Sequence, residues 1–199
     1  MSRRDETSTA DGEAFASVLM AARANAPWAF ERLFATYAPR VKAYVQTNGA
    51  VEPDEITNDV FLAAFQALAK FEGDEPGFRS WLFTIARRRV IDEHRKRSRR
   101  VVAVATEQPA EMDGAGGDVE AEALENITSQ WVVEVLNQLS ADQRDVLLLR
   151  TVADCTIEQI AGILGKRPGA VKALQRRGLA AAKKILAQQG VPLAQAADV

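Results

Sequence analysis

The chain has 199 residues, 47% hydrophobic and 26% charged, with a formal net charge of −2, which is enough apolar material for one globular domain or two small ones. No apolar run approaches the roughly 18 residues of a membrane span, and the opening MSRRDETSTADGE has no apolar centre of a signal peptide, so a cytoplasmic protein without membrane insertion is expected. With a single cysteine, Cys155, and a single histidine, His94, the chain alone can build neither an internal disulfide nor a Cys/His zinc site.

The first element is a short helix on Phe15, Val18 and Leu19. A longer second helix follows Trp28, Phe30, Leu33, Phe34, Tyr37, Val41 and Val45, and Asn48-Gly49 ends it. Pro53 opens a third, with an apolar stripe of Ile56, Val60, Ala64 and Leu68 flanked by Phe61 and Phe65. Glu55, Asn58 and Asp59 lie on its other face and read, on residue type alone, as ordinary solvent-facing side chains. Gly73 and Pro76 are expected to close the third helix before a fourth begins.

That fourth helix, FRSWLFTIARRRVIDEHRKRSRR from Phe78 to Arg100, joins an apolar face (Phe78, Trp81, Leu82, Ile85) to nine Lys or Arg side chains against two acids, Asp92 and Glu93. Such a nearly single-signed surface suits phosphate. Trp81 could stack on a base, but its spacing with Leu82 and Ile85 assigns it to the core. His94, among Arg and Lys, is expected at the surface or facing phosphate.

From Val101 to Thr128 the sign inverts, with seven acids and no Lys or Arg around Gly114, Gly116 and Gly117. This composition cannot bury enough apolar surface to offset its ordering, so a flexible acidic linker is expected. Beyond it, Ser140 with Gln143 and Thr156 with Gln159 both have the capping-box form that starts a helix. Cys155, just before the second box, reads as a small buried residue.

The stretch IEQIAGILGKRPGAVKALQRR from Ile157 then sets Ile160, Ala161 and Leu164 before a turn at Gly165, Pro168 at a first helical position, and Val171 and Leu174 beyond it. This is the spacing of a helix-turn-helix: the small residue permits a close crossing, the glycine turns the chain, and the later apolar pair seats the second helix. Arg167, Lys172, Ala173 and Arg176 then fall on its outer face, within a block from Lys166 to Lys184 that holds seven positive charges and no acid. Lys166 is expected to bury its stem and expose its charge. A helix presented in this way enters a major groove.

DEITNDVFLAAFQAL from Asp54, FRSWLFTIARRRVIDEHRKR from Phe78, and LSADQRDVLLLR through AVKALQRR from Leu139 to Arg177 together resemble the extracytoplasmic-function (ECF, group IV) sigma factors of bacterial RNA polymerase, over roughly residues 28 to 188. The resemblance implies an all-α fold of two small helical domains. Residues 1–24 would be a tail and short helix, 25–100 sigma region two, 101–128 the acidic linker, 129–190 sigma region four with its helix-turn-helix, and 191–199 a tail. It implies a factor that binds core RNA polymerase at the clamp helices and flap, recognises −10 and −35 promoter elements and promotes DNA opening, with an anti-sigma factor as regulator. Carried over by position, Glu55, Asn58 and Asp59 would contact polymerase. The loop from Phe71 to Phe78 would capture a flipped base, and Phe71, Phe78, Arg79, Arg87, Arg88, Arg95, Lys96 and Arg97 would meet −10 DNA. Arg167, Lys172, Ala173, Arg176 and Arg177 would meet −35 DNA, although Lys172-Ala173-Leu174-Gln175 departs from the Lys-Ser-Arg-Leu of many members. The linker would thread toward the active centre and RNA exit path.

No glycine-rich phosphate loop, nucleophile elbow or supported carboxylate pair supports an enzyme, and no cofactor or metal site is implied. A ligand-sensing helix-turn-helix repressor would need a pocket or dimerising helix within residues 1 to 100, where the most basic surface lies instead. A protein-only adaptor is disfavoured by the two separate cationic helices.

Overall fold

The computed structural model describes residues 3–104 and 132–189. Expectations for the acidic linker and the C-terminal tail fall largely outside them. The chain forms α1 (Arg3–Arg23), α2 (Pro27–Thr47), α3 (Pro53–Ala67) with a 3₁₀ turn at Leu68–Lys70, and α4 (Glu75–Val104). The second unit contains a short helix α5 (132–137), then α6 (Ala141–Thr151), α7 (Ile157–Leu164) and α8 (Pro168–Gln188). Among the described residues there is no strand, and no helix is long and apolar enough to cross a membrane.

The first unit is a four-helix bundle in which α1, α2 and α4 pack pairwise and α3 lies against α2 and α4. Leu33, Tyr37, Val41 and Val45 recur at helical spacing on α2 and are buried against Val60, Phe61 and Ala64 of α3 and Leu82, Phe83 and Ala86 of α4. Proline starts both α2 and α3, where its missing N–H would have had no helical partner anyway. Asn48 caps α2 as its neighbour Gly49 takes a left-handed φ of 81°.

Three expectations change. The first helix is not short: α1 begins at Arg3. Pro76 does not terminate the third helix but sits in the first turn of α4, which starts at Glu75, because a proline there again costs no hydrogen bond. On α2, Trp28 and Phe34 are 51% and 37% exposed and stand outside the buried stripe of Leu33, Tyr37 and Val41.

The second unit follows its punctuation closely. Ser140 with Gln143 and Thr156 with Gln159 both form reciprocal capping boxes. Gly165 ends α7 in the left-handed region at φ 64°, and Pro168 starts α8. Ile160, Ala161, Val171 and Leu174 close the small core between α7 and α8. Gly178 lets α8 approach α6: a Cβ there would stand 3.3 Å from Leu147 Cδ1.

Phe78 packs between Phe15, Tyr37, Phe71 and Trp81, with ring centroids 5.4–5.8 Å away, and it is fully buried. Phe78→Ala should therefore cost about 3–5 kcal/mol, read as a lower urea midpoint, and Phe78→Leu should recover most of it.

Candidate nucleic-acid interface

Helix α8 carries the clearest candidate surface. Val171 and Leu174 turn inward, while Arg167, Lys172, Arg176 and Arg177 are exposed and Ala173 is half-buried between them. Among the described residues none of these four cations forms an ion pair, and Arg167 stands at the N-cap of the helix. Lys166 behaves as its position suggests: its stem is half-buried and its ammonium reaches Asp142 at 2.9 Å.

The cations of α4 divide into two sets. Arg88, Arg95, Lys96 and Arg97 are exposed, and Arg95 approaches Asp92 only at 3.5 Å. Arg79 and Arg87, by contrast, turn toward the second unit. Arg87 Nε donates to Asp145 Oδ2 and Arg79 Nη1 to Asp154 Oδ2, each at 3.0 Å. Tyr44 completes the first of these contacts by donating its hydroxyl to the other Asp145 oxygen at 2.9 Å. Burial, reinforced by the Asp145 charge, pushes the Tyr44 phenol well above its ordinary range, so it stays a donor.

Phe71 and Phe78 do not lie on the surface. Both are buried, Phe71 stacking on Trp81 with centroids 5.1 Å apart, because the aromatic cluster under α1 and α2 takes both rings. Neither can meet a base directly in this arrangement. The loop between them is exposed at Glu72, Gly73 and Asp74; Asp74 Oδ1 accepts from the Gly77 amide at 2.9 Å, and Arg23 donates to the Phe71 carbonyl. Trp81 is packed in the cluster, as its spacing suggested.

Of the two placements expected for His94, the surface one holds in part, since the side chain is half-buried. Rather than facing phosphate, its Nε2 sits 2.8 Å from the Asn48 carbonyl, while Glu93 accepts from the Val51 amide at 3.0 Å. Together they staple α4 to the α2–α3 turn.

Glu55 and Asn58 are exposed on α3 and Asp59 is half-exposed. Glu55 and Asp59 line a shallow cleft with Arg89, Lys96 and Arg97, and Asp59 lies 3.9 Å from Arg89. Pairs this exposed contribute little to stability, which leaves the face available to a partner. Sequence reading missed Tyr44, Asp145, Asp154 and Gln159 as contacts between the units. One signal was present: Asp145 to Leu149 are five consecutive buried residues, and a helix that is apolar nearly all round is covered on more than one side.

Cys155 is fully buried, and its burial pushes the thiol from 9.0 up to about 11. Because the thiolate is the nucleophilic form, burial holds this side chain in its less reactive, protonated form at neutral pH. Among the described residues no cluster of three or more His, Cys, Asp or Glu could hold a metal ion.

Two family models match the chain: Sigma-70 region 2 over residues 33–100 and Sigma-70 region 4 over residues 129–181. The ECF RNA polymerase sigma factor SigD of Mycobacterium bovis is 30% identical over 86% of this chain and 83% of its own length. The ECF RNA polymerase sigma factor BldN of Streptomyces coelicolor is 28% identical over 79% of this chain. The match spans only 60% of BldN itself. The sigma factor RpoE of Bartonella quintana, solved in complex with the anti-sigma factor NepR, superposes with a TM-score of 0.62 at 24% identity, over 79% of this chain and 96% of that one; it supports the fold.

The raised thiol and phenol set a pH dependence. A group whose proton is held more tightly in the folded state contributes stability below its unfolded pKa and loses it as pH rises through the folded value. For Cys155 that window runs from 9.0 to about 11. The thermal midpoint should fall across it, less steeply in Cys155→Ala. Iodoacetamide at pH 8 should label Cys155 slowly until urea unfolds the chain.

Proposed function

The chain belongs to the extracytoplasmic-function sigma factors of RNA polymerase, alternative factors for transcription initiation, and from that premise we propose how its surfaces divide the work. The first unit binds core polymerase through Glu55, Asn58 and Asp59 and meets the −10 element with Arg88, Arg95, Lys96 and Arg97 on α4. The second unit reads the −35 element by laying α8 in the major groove, with Lys172, Ala173 and Arg176 toward base edges and Arg167 and Arg177 toward phosphate. DNA opening follows from capture of the separated strand, and no catalytic group of the chain takes part. The site of action is the cytoplasm, and an anti-sigma factor is the expected regulator, as RpoE has one in its complex.

The observation that carries this reading is the outer face of α8: four exposed cations that form no ion pair among the described residues, backed by the buried Val171 and Leu174. The exposed cations of α4 are a second positive surface on a separate unit, as a protein touching two promoter elements requires. Phe71 and Phe78 leave the set of direct contacts and act as the floor beneath the loop. Arg79 and Arg87 join the set only when their present partners release them.

Reconstitution is the deciding experiment. Mixed with core polymerase, the chain should start transcription at a specific site, and without polymerase it should show no operator-like affinity. A self-sufficient repressor would behave oppositely.

Reversal of Glu55 and Asp59 to Lys should weaken assembly with core polymerase in a competition assay while costing within ~0.5 kcal/mol of stability. Unchanged affinity would remove this face from the polymerase contact.

The two DNA surfaces should respond differently to alanine. Arg88→Ala, Arg95→Ala or Arg97→Ala should weaken all promoters alike and lower the salt slope by roughly one unit each. Arg176→Ala should cost about 1–3 kcal/mol on the cognate promoter and relax discrimination at one or two −35 positions. A uniform loss across single −35 substitutions would make Arg176 a phosphate contact instead.

A further inference from the structure

Promoter recognition requires the two units to act far apart, yet here they are tied together. By their names the two elements lie roughly 25 base pairs apart, about 85 Å at ~3.4 Å per pair. A compact chain of this length has a radius of gyration near ~16 Å, too small to reach both. The tie itself is specific. Asp145 of α6 takes Tyr44 of α2 on one oxygen and Arg87 of α4 on the other. Asp154 takes Arg79, Gln159 Nε2 donates to the Pro76 carbonyl at 3.0 Å, and Arg144 Nη1 reaches the Thr47 carbonyl at 3.4 Å.

The chemistry of these contacts matters more than their number. A carboxylate that accepts from a guanidinium occupies the donors a phosphate oxygen would use. Asp145 and Asp154 therefore sit on α4 where nucleic acid would, and both belong to the unit that must leave. Tyr44 is 1% and Asp145 9% exposed, so the central contact is shielded from the salt that would screen an exposed pair.

We propose that this interface is an autoinhibitory clasp. In the free chain the acids of the second unit stand in for phosphate on Arg79 and Arg87, so the closed clasp and strand binding by α4 exclude each other and α4 takes a strand only once the clasp opens. This deepens the sigma-factor reading and rests on it for the role of α4.

The test uses the full chain, free of polymerase, with two readouts. Small-angle scattering reports whether the units part, and the anisotropy of fluorescein-labelled oligo(dT) at low salt reports whether α4 becomes available. Asp145→Asn should raise the radius of gyration and tighten oligo(dT) binding by about tenfold, the factor expected when a state populated at roughly 10% becomes dominant. Tyr44→Phe should move both readouts in the same direction without changing charge. Glu158→Gln, an exposed acid of α7 outside the contacts, should change neither by more than the general effect of one charge.

Should Asp145→Asn lose its helical circular dichroism, Tyr44→Phe and Asp154→Asn carry the measurement; Asp154 is exposed at a left-handed φ of 48°, which Asn also adopts readily. An unchanged radius of gyration in the folded variants overturns the clasp. Open variants with unchanged oligo(dT) affinity overturn the competition, and they locate the failure in the nucleic-acid role given to α4 rather than in the interface.

Discussion

The carboxylate of Asp145 is the constraint around which the two halves of the chain are arranged. Moved out of water, a carboxylate without partners is among the costliest groups in a protein. Asp145 is 9% exposed and meets that cost with a hydroxyl on one oxygen and a guanidinium on the other. Neither donor is local: Tyr44 is 101 residues away and Arg87 is 58. The geometry exists only if α2 and α4 are already aligned, which the bundle core does through Val41, Val45, Phe83 and Ala86. Phe83 also packs edge-on against the Tyr44 ring at 5.4 Å, so the hydroxyl is aimed by the same side chains that stabilise the bundle. Such a contact adds little net stability compared with an apolar substitute, since pairing mostly offsets desolvation. Its contribution is to specify one arrangement of the units.

The cationic surfaces follow from this division. On α4 the helix periodicity turns Arg79 and Arg87 toward the second unit while Arg88, Arg95 and Arg97 stay in solvent. On α8, Arg167, Lys172, Arg176 and Arg177 form no ion pair among the described residues, while three acids of the second unit pair elsewhere: Asp145 and Asp154 on α4, and Asp142 on Lys166. The net charge of −2 conceals this, and only the local field bears on a polyanion.

What the sequence made legible was what local physics determines. Capping boxes at Ser140 and Thr156, a left-handed glycine at 165 and the helix-starting Pro53 and Pro168 each act within one turn, and each appears where the residues put it. The buried stripes of α2, α3 and α8 follow from period 3.6. The contacts between units were not legible, because a single acid meeting a single tyrosine a hundred positions away leaves no periodic trace. The contact of His94 was hidden for a related reason: its cationic neighbours suggested phosphate as one partner, but its position on α4 brings the ring to the Asn48 carbonyl. Composition describes a neighbourhood along the chain, and a hydrogen bond is decided by the neighbourhood in space.

In the proposed reading, where the loop between α3 and α4 meets a flipped base, the buried aromatics determine what that loop can offer. Phe71 lies under Gly73, whose added Cβ would meet the Phe71 ring at 3.0 Å, and Gly73 has a φ of 151° that side-chain-bearing residues rarely adopt. Asp74 then ties the turn to Gly77, and Phe78 anchors the start of α4. The loop is thus held at both ends by rings in the core, and its backbone crosses close above one of them. A base meeting this segment would find its rigidity supplied from below and its recognition confined to the exposed Glu72, Gly73 and Asp74 backbone and side chains. Since two of those three are acids, selectivity there would rest on hydrogen bonds to base edges, and attraction for the strand would have to come from the cations of α4.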